Sequence, residues 1–258
     1  MNVLRLVLIF LSAPASPSSA FPSASSTTII SLDGSAIGHR YDGHGGLSAG
    51  ASSRGLWDYP PAQRDDILDM LFKPQWGLSL PLLKVEIGGD AQSTDGTEPS
   101  HMHTRDDLSC SRGYELFLLR EAKKRNPDIL TFGLSWGAPG WINNGTFFGP
   151  EMWLYQTQWV ACIEAELGFK VDYLGVWNER YWGGIDYVVG LRAALDAAGF
   201  SSTQIVIPDG VYDSTIIADA TTNATFSNAF DVVGLHYPCE DVHPEVQAGG
   251  KKYWASEQ

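Results

Sequence analysis

Cysteine is scarce in this chain. Only Cys110, Cys162 and Cys239 occur in 258 residues, and no pair of them stands at a short metal-ligand spacing, which excludes a zinc-finger framework. Three thiols allow at most one internal disulfide; the remaining one is a buried thiol or the partner of a cysteine elsewhere. Basic charge is scarce too. Seventeen Lys and Arg face 30 Asp and Glu, for a net charge of -13, which repels phosphate backbones and anionic headgroups and argues against a nucleic-acid partner. Long apolar runs are missing as well. The run 6–11 follows Arg5 and gives way to Ser18-Ser19-Ala20; it is far short of the ~20 residues that span a bilayer and reads as a secretory leader over residues 1–20. No later stretch is long enough, so no transmembrane segment is expected. Residues 21–28, rich in Ser, Pro and Thr, read as a disordered lead-in. A leader gives meaning to Asn144-Gly145-Thr146 and Asn223-Ala224-Thr225 as glycosylation acceptors at Asn144 and Asn223.

What is present is a repeating alternation. The content is 44% hydrophobic and 18% charged, enough for one core over residues 29–258. Short apolar runs at 83–87, 129–134, 173–177, 205–207, 232–235 and 252–255, with one more near Tyr41, read as seven strands. Between them, Tyr114, Phe117, Leu118 and Ala122, and again Met152, Tyr155, Trp159 and Ile163, fall on single helical faces. Asn126-Pro127 and Gly199 supply stops. Such units build either a closed β/α barrel or an open doubly wound sheet. An open sheet favours a Gly-rich phosphate loop after its first strand. Gly43-His44-Gly45-Gly46 is instead followed by Pro60-Pro61 and a long segment, and reads as a strand-end loop, so no dinucleotide cofactor is expected. The predicted fold is an incomplete (β/α)8 TIM barrel with about seven of its eight strands.

Polar residues gather where these strands end: Glu86 and Asp90, Trp136, Asn178 and Glu179, His236 and Tyr237, and Glu257. In a barrel all those ends share one mouth. Glu179 and Glu257, closing the fourth and seventh strands, would face each other across it. Retaining glycosidases need two carboxyls ~5–5.5 Å apart, one attacking the anomeric carbon and one protonating the leaving oxygen. The bland alternative is a surface salt bridge, for example with Arg180. Asn178, directly before Glu179, favours the catalytic reading, because an amide there can bond the sugar 2-hydroxyl. His236 and Tyr237 read as pocket residues, with Tyr237 donating to the nucleophile, although a satisfied core histidine explains His236 equally well. His101-Met102-His103 offers two ligands without a third, so no metal site is expected. Glu86 and Asp90 read as supports of the mouth.

Several longer runs carry a resemblance: Asp66-Ile67-Leu68-Asp69 with Leu71-Phe72-Lys73-Pro74, Leu83-Lys84-Val85-Glu86-Ile87-Gly88-Gly89-Asp90, and Thr94-Asp95-Gly96-Thr97-Glu98-Pro99-Ser100-His101-Met102-His103. They continue in Glu121-Ala122-Lys123-Lys124-Arg125-Asn126-Pro127, Trp177-Asn178-Glu179-Arg180 and His236-Tyr237-Pro238. From about residue 42 to 257 the chain resembles the galactocerebrosidases of glycoside hydrolase family 59. The resemblance implies a retaining β-galactosidase that hydrolyses galactosylceramide and related galactolipids, with Glu179 as acid/base and Glu257 as nucleophile. It implies that Thr94, Trp136 and Asn178 line the galactose pocket, that no cofactor or metal is needed, that a small saposin-like lipid carrier presents the substrate, and that the protein resides in the lysosome or outside the cell. A barrel glycosidase of the same clan acting on galactan or glucosylceramide, or an inactive sugar-binding fragment, are the alternatives. Since family members continue beyond the point matching Gln258, the eighth strand is expected outside these residues, and this chain alone is expected to be weakly active or inactive.

Overall fold

A computed structural model describes residues 30–31, 33–35, 38, 41–93, 96–238 and 243–258. The expected leader, the 21–28 lead-in, Thr94 and Cys239 lie outside the described residues. Two units separate, Met1–Tyr41 and Asp42–Gln258. In the first, Asp33 accepts hydrogen bonds from the backbone and hydroxyl of Ser35 at 2.9 and 2.6 Å.

The second unit runs β1 (Gly45–Ser48), α1 (Ser53–Asp58), α2 (Pro61–Phe72), β2 (Leu82–Ile87), α3 (Glu115–Arg125), β3 (Leu130–Ser135), α4 (Pro150–Leu167), β4 (Tyr173–Gly175), α5 (Gly184–Ala197), β5 (Gln204–Gly210), α6 (Thr215–Thr222), α7 (Ala224–Ser227), β6 (Val232–His236), α8 (Pro244–Ala248) and β7 (Lys252–Glu257). All seven strands are parallel and each pairs with its sequence neighbour, in the order β1 to β7. Pro61 and Pro150 start α2 and α4, where a missing N–H costs nothing. Gly168, left-handed at φ 76°, ends α4.

The sheet has two buried faces, as a parallel sheet covered by helices must. Outward residues such as Val85, Ile87 and Leu174 pack with Leu119, Tyr155, Val160 and Leu191 of the helices. Inward residues Phe132, Leu134, Tyr173, Val206 and Val232 form a second core with Trp136 and Trp254. The sheet curls. β2 and β7 stand five places apart, roughly 24 Å if the sheet were flat, yet Lys84 Nζ lies 3.3 Å from the Ser256 carbonyl. Strands β1 and β7 are the two edges, and near them Trp254 Nε1 donates to Asp42 at 3.0 Å.

Six strands fall within a few residues of the sequence reading. The first does not: it lies at Gly45–Ser48 rather than near Tyr41, so Gly45 and Gly46 belong to a strand, not to a strand-end loop. A Cβ at Gly45 would come within 2.9 Å of Leu82, and one at Gly46 within 2.8 Å of Leu80. Close packing of the leucine side chains, not turn formation, favours glycine there. Cys110 and Cys162 form a disulfide that ties the β2–α3 connection to α4. Among the described residues, no helix is long and apolar enough to cross a membrane.

Candidate active site

The carboxyl end of β4 delivers Glu179. Asn178 donates its backbone N–H to Ser135 of β3 at 2.8 Å, and Glu179 donates its own to Asp209 of β5 at 3.1 Å, so the segment stays tied on both sides after the regular strand ends. Trp177 stacks on Phe147 with centroids 3.8 Å apart and donates Nε1 to the Trp136 carbonyl at 3.2 Å. Glu179 is left-handed, at φ 52°. So are Asp90, Asp209 and Tyr237, all at the carboxyl ends of strands. For residues other than glycine this conformation is sparsely populated, and such positions concentrate where function demands a particular side-chain direction.

Glu257 ends β7. Its carbonyl accepts from Tyr237 N–H at 2.8 Å, and its Oε1 accepts from the Tyr237 hydroxyl at 2.6 Å. That hydrogen bond and the carboxylate charge push the Tyr237 phenol up to about 12, which keeps it a donor throughout the physiological range. One carboxylate oxygen each from Glu179 and Glu257 and a ring nitrogen of His236 lie within 4.8 Å of one another. Glu179 is half exposed, whereas His236 is buried beneath it.

Below the mouth is a buried charge network that the sequence reading missed. Lys84 of β2 places Nζ 2.9 Å from Asp209 Oδ1 and 3.7 Å from Glu257 Oε2. Ser256 Oγ donates to the same Asp209 oxygen at 2.8 Å. His236 Nε2 lies 2.8 Å from it too, while Nδ1 faces Glu179 Oε1 at 3.2 Å and Glu257 Oε2 at 3.6 Å. Burial alone would raise the Asp209 carboxyl, but Lys84 and His236 outweigh it and hold the group below the usual carboxylate range. Burial would also lower His236, yet Asp209 wins and raises it. The one signal for this network was a lysine in the middle of an apolar strand that should be buried on both faces. By donor type Glu179, His236 and Glu257 resemble a metal trio, but His236 Nδ1 faces both carboxylates and Lys84 Nζ stands 3.7 Å from Glu257, so these carboxylates have side-chain partners in place.

The other expected residues are placed as follows. Trp136 is half-buried at the end of β3, with Lys84 Nζ 5.8 Å from its ring. Asn178 has a buried Oδ1 with no hydrogen-bond partner among the described residues. Thr94 is outside the described residues. Asn144 is exposed on a short 3-10 turn, Ile142–Gly145. Asn223 is half-buried and caps α7 by accepting from Phe226 N–H at 3.0 Å. His101 points to the Tyr155 carbonyl at 3.0 Å and His103 to Asp90 at 2.7 Å, so the two rings serve different partners. Glu86 accepts from Gly50 N–H at 2.6 Å and from Ser93 at 3.0 Å; it ties two loops of the mouth together.

A second acidic group lies behind that rim. Glu98 accepts the Tyr114 and Glu115 N–H groups at the start of α3, at 2.8 and 3.2 Å. Glu115 accepts from Ser48 and Ser53 at 2.8 and 3.1 Å. Burial, and then the charge of Glu115, push Glu98 up to about 8. Burial pushes Glu115 up to about 7.

A curled parallel sheet covered by helices, with paired carboxylates at the ends of its fourth and seventh strands, defines the class of barrel glycoside hydrolases. Solved structures agree on the fold. A conserved exported protein from Bacteroides fragilis superposes with a TM-score of 0.70 at 19% identity, covering 88% of this chain and 62% of that one. The catalytic domain of xylanase C from Talaromyces cellulolyticus gives 0.59 at 16%, covering 76% and 53%. The chain belongs to glycosyl hydrolase family 59, whose profile matches residues 41–258. It is 45% identical to a galactocerebrosidase of Danio rerio over 226 residues (86% of this chain, 34% of that protein) and 43% identical to the Homo sapiens galactocerebrosidase over 231 (87% and 33%). It thus spans about a third of the length of the curated relatives it matches.

Proposed function

We propose that this chain supplies the catalytic carboxyls of a retaining β-galactosidase that cleaves galactosylceramide and related galactolipids into galactose and ceramide. The observation that carries the reading is the approach of Glu179 and Glu257 oxygens to within 4.8 Å. Retaining enzymes hold their carboxyls ~5–5.5 Å apart, whereas inverting enzymes leave ~6.5–9.5 Å for a water. In the first step a Glu257 oxygen bonds to the galactosyl anomeric carbon as the bond to the ceramide oxygen breaks, and Glu179 gives its proton to that leaving oxygen. In the second, Glu179 takes a proton from water, the water oxygen bonds to the same carbon, and Glu257 leaves. Configuration is retained. Tyr237 steadies the nucleophile by its hydrogen bond. Thr94, Trp136 and Asn178 form the galactose pocket, with Trp136 against the sugar face. The names of the relatives support the lipid substrate, and a small lipid-carrier protein would present it. The compartment that fits is the lysosome or the extracellular space, with glycans on Asn144 and Asn223.

The test uses the longest natural polypeptide that contains these residues. Glu257→Gln should abolish turnover of galactosides, and Glu179→Gln should lower kcat/KM by about 10²–10⁴-fold for alkyl leaving groups but far less for a dinitrophenyl galactoside, whose departure needs no proton. Retained activity in both variants ends the proposal. Faster turnover of glucosylceramide or galactan than of galactosylceramide would redirect the substrate, and galactose binding without hydrolysis would make the chain a sugar-binding domain.

A further inference from the structure

We infer that Asp209, paired with Lys84, is a positioning residue of this site: it holds the His236 ring between Glu179 and Glu257 with both ring nitrogens acting as donors. The inference rests on the catalytic reading of the two glutamates. Asp209 is fully buried near the carboxyl end of β5. One of its oxygens collects three donors from three strands, Lys84 Nζ from β2 at 2.9 Å, His236 Nε2 from β6 at 2.8 Å and Ser256 Oγ from β7 at 2.8 Å. Its carbonyl receives the Glu179 N–H. Space is reserved for it, because a Cβ at Gly175 would stand 2.6 Å from Asp209 Oδ2. A single side chain therefore connects the segment bearing the acid/base, the strand bearing the nucleophile and the histidine between them.

The ring's state follows from what surrounds it. A neutral imidazole has one donor and one acceptor nitrogen. Here Nε2 faces an Asp209 oxygen at 2.8 Å, closer than Lys84 Nζ at 3.4 Å, and Nδ1 faces two more carboxylate oxygens, so the imidazolium, with two N–H groups, satisfies all three carboxylate contacts while Lys84 donates to Asp209. The charged groups facing the ring are Asp209 from β5, Lys84 from β2, Glu179 after β4 and Glu257 from β7; β3 contributes the uncharged rings of Phe132 and Trp136, which pack on Lys84. With Lys84 and His236 positive and Asp209 and Glu257 negative, the cluster is neutral when Glu179 carries its proton. That is the form the first chemical step needs. Asp209 thus acts through His236 and touches no sugar.

The primary test is nitrogen-15 NMR of the His236 ring in the 258-residue chain. Both nitrogens should be protonated at pH 6, and the ring should titrate above the ordinary value of about 6.5. Asp209→Asn should move that titration down, and Lys84→Met should move it up, opposite shifts that a purely structural role would not produce. Ser256→Ala, which leaves the Lys84 and His236 contacts in place, should shift it less than Asp209→Asn does. In the longest natural polypeptide, Asp209→Asn should lower kcat by about 10–100-fold with little change in KM. A singly protonated ring at pH 6 in the unaltered chain overturns the inference, as does a titration indifferent to Asp209→Asn. If Glu179→Gln and Glu257→Gln leave turnover intact while the ring behaves as stated, it is the catalytic reading that has failed, not the geometry of the pair.

Discussion

Glu98 and Glu115 show at single residues how this fold responds to pH. Both are raised in the folded state, to about 8 and about 7, mainly by burial. The folded protein therefore binds more protons than the unfolded chain between their ordinary carboxylate values and these raised ones. Their contribution to stability is fully present below about pH 4.5 and is lost as pH rises through about 7 to 8. His101 works the other way. Burial lowers it to about 4, so its contribution is present above about pH 6.5 and is lost as pH falls through about 4. Maximum stability should lie in the mildly acidic range between. Glu98→Gln should raise stability by roughly 1–3 kcal/mol at pH 7.5 and change it little at pH 5; thermal melts at the two pH values check this. Glu179 and Glu257 were legible in the sequence because each closes an apolar strand. Asp209 was not, since it follows Pro208 at a position that reads as the start of a loop, and only its place within β5 reveals it.

Individual elements depend on close contacts between the sheet and its helices. Gly133 on the outer face of β3 leaves room for the Trp159 ring of α4, and a Cβ there would stand 2.3 Å from it. Gly133→Ala should cost about 1–3 kcal/mol by overpacking. That corresponds to a Tm roughly 2–4 °C lower for each kcal/mol in a domain of this size. Calorimetry decides it, and an unchanged Tm would show that α4 can shift outward freely. Helices α3 and α4 were readable because their apolar residues recur at helical spacing over two to three turns. Strand β1 was misplaced because its signal is two glycines, which carry no hydrophobic pattern; only the nearness of Leu80 and Leu82 explains why a strand tolerates them.

Across the whole molecule, the Cys110–Cys162 bridge closes a segment of 52 residues that includes β3 and most of α4. In the chain-entropy account such a loop contributes about 4 kcal/mol. Reduction, or Cys110→Ser with Cys162→Ser, should therefore lower the unfolding free energy in urea by an amount of that order. No loss would mean that the unfolded chain is already compact there. The parallel order of strands was legible from the alternation of runs, but which two cysteines pair was not, because pairing depends on how the β2–α3 connection folds back over α4.

The same curl that brings Lys84 of β2 against β7 brings Glu179 and Glu257 together, and the central claim is that this meeting produces a covalent galactosyl-enzyme. The most direct measurement is mass spectrometry after incubation with 2-deoxy-2-fluoro-β-galactosyl fluoride, using the longest natural polypeptide containing these residues. The account predicts one added fluorogalactosyl group on the peptide carrying Glu257, and none in Glu257→Gln. A label on another residue, or hydrolysis with inversion and no adduct, would contradict it.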